Sequence, residues 1–132
     1  MSARLVVAFG TDRERYQTAV ELSAYSGVAP VIERSGKQKW VHWRWRCPKF
    51  LRQSFVEYAA KSIGQCEWAM LFYRNQRHQK KDHNASLRAL AFKWQRIMFR
   101  CWQARQPYDE QLYLKALAKH GSWLTEELTK TA

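Results

Sequence analysis

From about Asn84 to Gln103, the apolar residues Leu87, Leu90, Ala91, Trp94, Ile97, Met98, Cys101 and Trp102 recur at steps of three and four. That spacing puts them on one broad face of a long helix. Arg88, Lys93, Arg96 and Arg100 fall on the opposite side. Phe92 and Phe99 flank these cations, so the helix either has a second packing neighbour or exposes aromatics beside arginines. Helical spacing favours the neighbour, because an aromatic at such a position usually packs.

Upstream, Pro48 suits the first turn of a helix, Leu51, Phe55, Tyr58, Ala59 and Ile63 keep the helical step, and Gly64 is a natural stop. A further helix containing Trp68, Leu71 and Phe72 follows directly, and the polar run "NQRHQKKDHN" predicts a basic, mobile connection to the long helix. After "RQPYD" the pattern restarts with Leu112, Leu114, Leu117 and Ala118 and stops at Gly121, which leaves 121–132 as a fraying tail. Near the N-terminus, "ARLVVAF" reads as a short apolar helix. Thr18 and Glu21 have the spacing of a capping box for a second helix, and Gly27 would end it.

The expected architecture is therefore all-α: a single domain over 1–132, with about five to six helices and one long irregular basic loop at 28–47. Within that loop Trp43 and Trp45 alternate with Arg44 and Arg46, which allows a short extended piece. A loop of this length inside a small domain is itself a functional signal.

Composition narrows the partners. Lys and Arg number 23 against 11 Asp and Glu, a net charge of +12, while 46% of residues are apolar, so the chain is a folded basic protein and not a disordered basic tail. A polyanion is the expected partner: nucleic acid first, then an anionic membrane surface, then an acidic protein. The cations and aromatics are interleaved and not segregated onto amphipathic faces, which argues against the membrane. No apolar run approaches the ~18 residues of a membrane span. The N-terminal "MSARLVVAFGTDRERY" reaches charge too early for a signal peptide, so a cytoplasmic protein is expected. Cys47, Cys66 and Cys101 are too far apart for a zinc or dithiol motif, and Cys66 and Cys101 read as small buried apolar residues. His42, His78, His83 and His120 form no ligand pattern, so no metal site is expected in this chain.

The loop carries the candidate chemistry. The cations Arg34, Lys37, Lys39, Arg44 and Arg46 alternate with Trp40, Trp43 and Trp45. Cations neutralise phosphates, and indole faces stack on unpaired bases or wedge into a distorted duplex. Taken singly each tryptophan reads as core; together with the cations they favour contact with nucleic acid. Ser35 adds a sharper reading. A serine that attacks a phosphodiester needs a base for its proton and cations for the charge developing on phosphorus, and Arg34 and Lys37 would meet the second need. On spacing alone, Ser35 followed by Gly36 signals a turn, and no histidine–aspartate pair or nucleophile elbow marks it.

The run "AFGTDRERYQTAVELSAYSGVAPVIERSGKQKWVHWRWRCPKFLRQSFVEYA" resembles the C-terminal domain of the IS-one-ten family of insertion-sequence transposases, also called DEDD transposases or bridge-RNA-guided recombinases. "LSAYSG", the following "VAP", the "RSG" and the helix "FLRQSFVEYA" carry the resemblance, which continues through "RALAFKWQRIMFRCWQ" and "PYDEQLYLKAL". It implies a DNA recombinase with a composite active site. In that family a RuvC-like domain supplies four acidic residues for divalent metal, and this domain supplies a serine that attacks DNA. Ser35 occupies the position of that serine. The resemblance further implies Mg in the partner domain and no cofactor in this chain, with DNA and a guide RNA as partners and a homo-oligomeric full-length protein. Two departures stand out. Many relatives follow the serine with a glycine-rich stretch ending in Lys-x-Gly, where this chain has "KWVHWRWRCPKF", so roles for the tryptophans rest on their chemistry alone. No acidic domain and no Gly-Pro hairpin turn precede "ARLVVAFG", so the chain reads as a piece of a larger enzyme, inactive alone. The alternative is a non-catalytic basic nucleic-acid-binding module.

Overall fold

The first helix with two defined ends, α1 (Ala19–Ser26), starts where the capping residues place it. The Thr18 hydroxyl accepts the Glu21 N–H at 3.2 Å, and the Glu21 carboxylate reaches back to accept the Gln17 N–H at 2.9 Å. Gly27 closes the helix at φ 78°, a left-handed conformation that glycine adopts without steric penalty. This is a computed structural model that describes residues 5, 9, 14–28, 31–42 and 49–131. The expected helix "ARLVVAF" lies largely outside these residues; its two described members, Leu5 and Phe9, have helical backbone.

Five more helices follow among the described residues: α2 (Lys49–Ser62), α3 (Glu67–His78), α4 (His83–Ala104), α5 (Glu110–Lys119) and α6 (Trp123–Thr131). Two of them begin at aspartate caps. Asp82 caps α4 by accepting the Ala85 N–H at 2.7 Å, and Asp109 caps α5 through Gln111 and Leu112. Among the described residues the one departure from all-helical structure is a short antiparallel ribbon, β1 (Val31–Ser35) and β2 (Gln38–His42), in the stretch that shows no helical period.

The long α4 is the organising element, packed against α1, α2 and α3, while α6 packs on α3 and α5. Leu22, Phe55, Trp68, Leu90, Trp94 and Leu124 form one buried cluster with their neighbours. Its centre is aromatic: Trp68 lies 4.8 Å from Trp94, and Phe9 meets Phe55 edge-on at 5.6 Å. Phe92 and Phe99 are half-buried against this cluster, so α4 does have a second neighbour.

Three expectations need correcting. The polar run is no mobile connection: α3 continues to His78, and a turn over 79–82 leads straight into α4. Lys81 donates its amine to the Gln76 side chain, Arg77 donates to the Lys81 carbonyl, and Lys80 sits at φ 65°. Gln76 is buried, and a polar residue in that position hid the last turn of the helix. Residues 121–132 are no fraying tail, since they contain α6 and bring Leu124, 1% exposed, into the core. Cys66 is no inert core residue within a helix. It precedes α3, is half-buried, and donates its thiol to Glu110 Oε1 at 3.1 Å. Burial is the main cause that pushes this thiol up to about 12, so it is a donor and not a nucleophile at neutral pH.

Candidate nucleic-acid interface and serine hairpin

The ribbon is built around one two-residue turn. Ser35 pairs with Gln38 across Gly36 and Lys37, and Arg34 pairs with Lys39 on the next rung. Gly36 has φ +60°, whereas Lys37 is not among the residues of positive φ, which defines a type II′ turn with glycine at its first central position. A Cβ at Gly36 would meet nothing within 4 Å, so the demand for glycine there is conformational and not steric. The Ser-Gly pair is thus a turn, as its spacing suggests, but one that places Ser35 on the last rung of a ribbon.

Of the residues that the sequence singles out, the backbone gathers Arg34, Ser35, Lys37, Lys39 and Trp40 on this hairpin, with Lys37 exposed at the turn. Trp43, Arg44, Trp45 and Arg46, and with them the extended piece read there, lie outside the described residues. Among the described elements, the two strands contact only each other and no helix. Among the described elements the hairpin thus stands apart from the helices. Its pattern was available in advance: two short runs separated by two residues, the first of them glycine, are a hairpin signal.

What roots the hairpin is buried and polar. Gln95, in the middle of α4 and 0% exposed, donates its amide to Ser26 Oγ at 2.7 Å, across 69 positions of sequence. Ser26 in turn donates to the Ser23 carbonyl at 3.2 Å. Ser26 is the last residue of α1, and the chain passes through Gly27 and buried Val28 to reach β1. Removing the Ser26 hydroxyl strands a buried amide donor. Ser26→Ala is therefore expected to cost about 1–3 kcal/mol in urea unfolding. A change within about 0.3 kcal/mol would mean that Gln95 finds another partner.

A second group of cations falls in the polar run that the sequence pattern gives as a connection. Arg74, Arg77, Lys80 and Lys81 are exposed at the corner between α3 and α4. The corner's one carboxylate, Asp82, is occupied in capping α4. Farther along α4, burial lowers the Lys93 amine, whose Nζ lies 5.4 Å over the Phe72 ring. Among the described residues no three His, Cys, Asp or Glu side chains converge to hold a metal. No helix of the described residues is long and apolar enough to cross a membrane.

Comparison with known proteins places this arrangement. Residues 1–74, which include α1, the hairpin and α2, match the family model described as Transposase IS116/IS110/IS902 family. The chain belongs to the IS116/IS110/IS902 transposase family. It is also 30% identical over 111 residues to a Streptomyces coelicolor protein named as the mini-circle transposase for IS117, across 84% of this chain and 27% of that relative. The chain thus spans about a quarter of the relative's length. No solved structure shows significant similarity to it. The match of this IS110-type transposase segment covers the hairpin that carries Ser35.

Proposed function

We propose that this chain is the serine-bearing half of a DNA transposase, with Ser35 as the nucleophile for strand cleavage and exchange. The observation that carries the reading is the hairpin: inside the family-matched region, Ser35 stands on the last rung of a ribbon that no described helix covers. In the proposed step, Ser35 Oγ forms a bond to phosphorus while the bond from phosphorus to one deoxyribose oxygen breaks. The serine proton passes to a base outside the described residues, and the departing sugar oxygen takes up a proton. Arg34 and Lys37 offset the charge that gathers on the phosphoryl oxygens. Lys39, Trp40, Trp43, Arg44, Trp45 and Arg46 hold the DNA to either side, and the corner cations Arg74, Arg77, Lys80 and Lys81 extend the contact to a second face.

In this reading a separate acidic domain would hold the divalent metal. Guide RNA and assembly into a homo-oligomer belong to the same reading of the whole protein. The chain alone is expected to bind without cutting.

Binding is the first test. Phosphate contacts dominate such an interface, so affinity for duplex DNA should fall steeply with salt and vary little with sequence. With roughly four to six phosphates neutralised, log affinity against log salt should have a slope of about −4 to −5, measured by fluorescence anisotropy. Affinity independent of salt would remove the polyanion reading.

A further inference from the structure

A cavity of about 370 Å³ opens where the end of α2, the α2–α3 turn, α4 and the α4–α5 loop meet. This is near the lower end of the ~300–1,000 Å³ of small-molecule sites, a size for one compact ring system. Its inner wall is Trp94, fixed by an indole N–H that donates to Ser62 Oγ at 2.9 Å. Tyr58 and Tyr108 stand steeply across that indole, with centroids at 5.1 Å and 88° and at 5.3 Å and 67°. Together the three rings form the aromatic lining of the cavity, a box in which the indole is the covered floor, 3% exposed, and the tyrosines are the accessible walls.

Tyr108 is the informative wall. It is 38% exposed, yet it is not free to swing, because its hydroxyl accepts the Trp68 indole N–H at 3.1 Å. An exposed ring held in place by the core is a preorganised stacking surface. The polar groups at the box are Lys61, Gln65 and Glu110. Glu110 Oε1 already accepts the Cys66 thiol, which aims the carboxylate and leaves its second oxygen to accept from an amino group. Lys61 is exposed and suits a phosphate, while disfavouring a cationic guest.

We propose that this box takes one unpaired nucleobase bearing an exocyclic amino group, extruded from a nucleic acid whose adjoining phosphate meets Lys61. Flat aromatic walls select a flat ring, the carboxylate accepts from the amino group, and the amine meets the backbone. The site lies on the helical body, apart from the Ser35 hairpin in sequence and in contacts among the described elements. It would fix the register of a bound strand while chemistry proceeds elsewhere. The proposal rests on the reading that this chain binds nucleic acid, and the test separates the two.

The probes are three DNA duplexes of one sequence: fully paired, with a single bulged adenosine, and with an abasic site in place of that adenosine. The abasic duplex controls for the flexibility of a bulge. We expect the adenine bulge to bind about 5- to 100-fold more tightly than the abasic one, the range of a single base–aromatic stack. Tyr108→Phe should keep the preference and Tyr108→Ala should lose it, although both lose the bond to Trp68. Gln65→Phe, at an exposed turn position, should also lose it by filling the mouth, which keeps the test open if Tyr108→Ala fails to fold. Equal binding of adenine and abasic bulges, or a preference that survives both Tyr108→Ala and Gln65→Phe, overturns the pocket while the DNA reading stands. No binding to any of the three duplexes overturns both.

Discussion

Ser35→Ala, made in a recombinase of the family's full length that carries this segment, is expected to reduce strand exchange by roughly a thousandfold or more, because the proposed step loses the oxygen that bonds to phosphorus. Folding and DNA binding should barely change. The strands of the hairpin contact no described helix, so the substitution should stay within about 0.5 kcal/mol of the parent in stability. Gly36→Ala is the informative neighbour. It keeps the hydroxyl but disfavours the +60° φ of the turn, so it should lower the rate through misplacement of Ser35 and not through loss of the nucleophile. Mass spectrometry of a reaction stalled on nicked DNA decides the assignment. A DNA adduct on the peptide containing Ser35 supports it, and an adduct that persists in Ser35→Ala would sink it.

The largest effect on stability is expected from Trp94→Ala. Trp94 is 3% exposed, touches Tyr58, Trp68 and Tyr108 ring to ring, and ties α4 to the end of α2 through Ser62. Truncating it opens a cavity between helices that the core cannot refill, at about 3–5 kcal/mol. Against the ~5–15 kcal/mol that holds a typical domain together, this removes much of the margin. Urea unfolding followed by circular dichroism should show the midpoint fall sharply. A loss below about 1 kcal/mol would mean that Trp94 is not the keystone its contacts describe. Trp94→Phe should cost less, since Ser62 still donates to the Ala59 carbonyl at 2.7 Å.

The helical body was legible from spacing because the buried residues of α2 and α4 recur on one face, and because Thr18, Gly27 and Gly121 are local signals that need no tertiary context. Reading failed where tertiary structure overrides polarity. Gln76 and Gln95 are polar residues in buried positions, one concealing the end of α3 and the other joining α4 to the root of the hairpin. Leu124 looked like part of a tail because a nine-residue helix with two glutamates in its middle has little apolar surface of its own and depends on its neighbours. The hairpin is hidden for a different reason: its strands read as blocks, Val31 and Ile32 before Glu33, Arg34 and Ser35, then Gln38 and Lys39 before Trp40 and Val41, and show no strict alternation. Ser35 itself stood out only by resemblance, since serine before glycine in a loop has no chemical signature of its own.

The isolation of the hairpin also bears on how such proteins diversify. Among the described elements the two strands contact only each other, so they stand outside the set of packed helices that α4 organises, and changes in them should leave the described core intact. Selection on what the ribbon touches and selection on whether the chain folds then act on different residues. Such a ribbon is an exchangeable cassette, and the conditions for moving it between relatives are few: a glycine at the first turn position, and a buried hydroxyl–amide pair like Ser26 and Gln95 at its root.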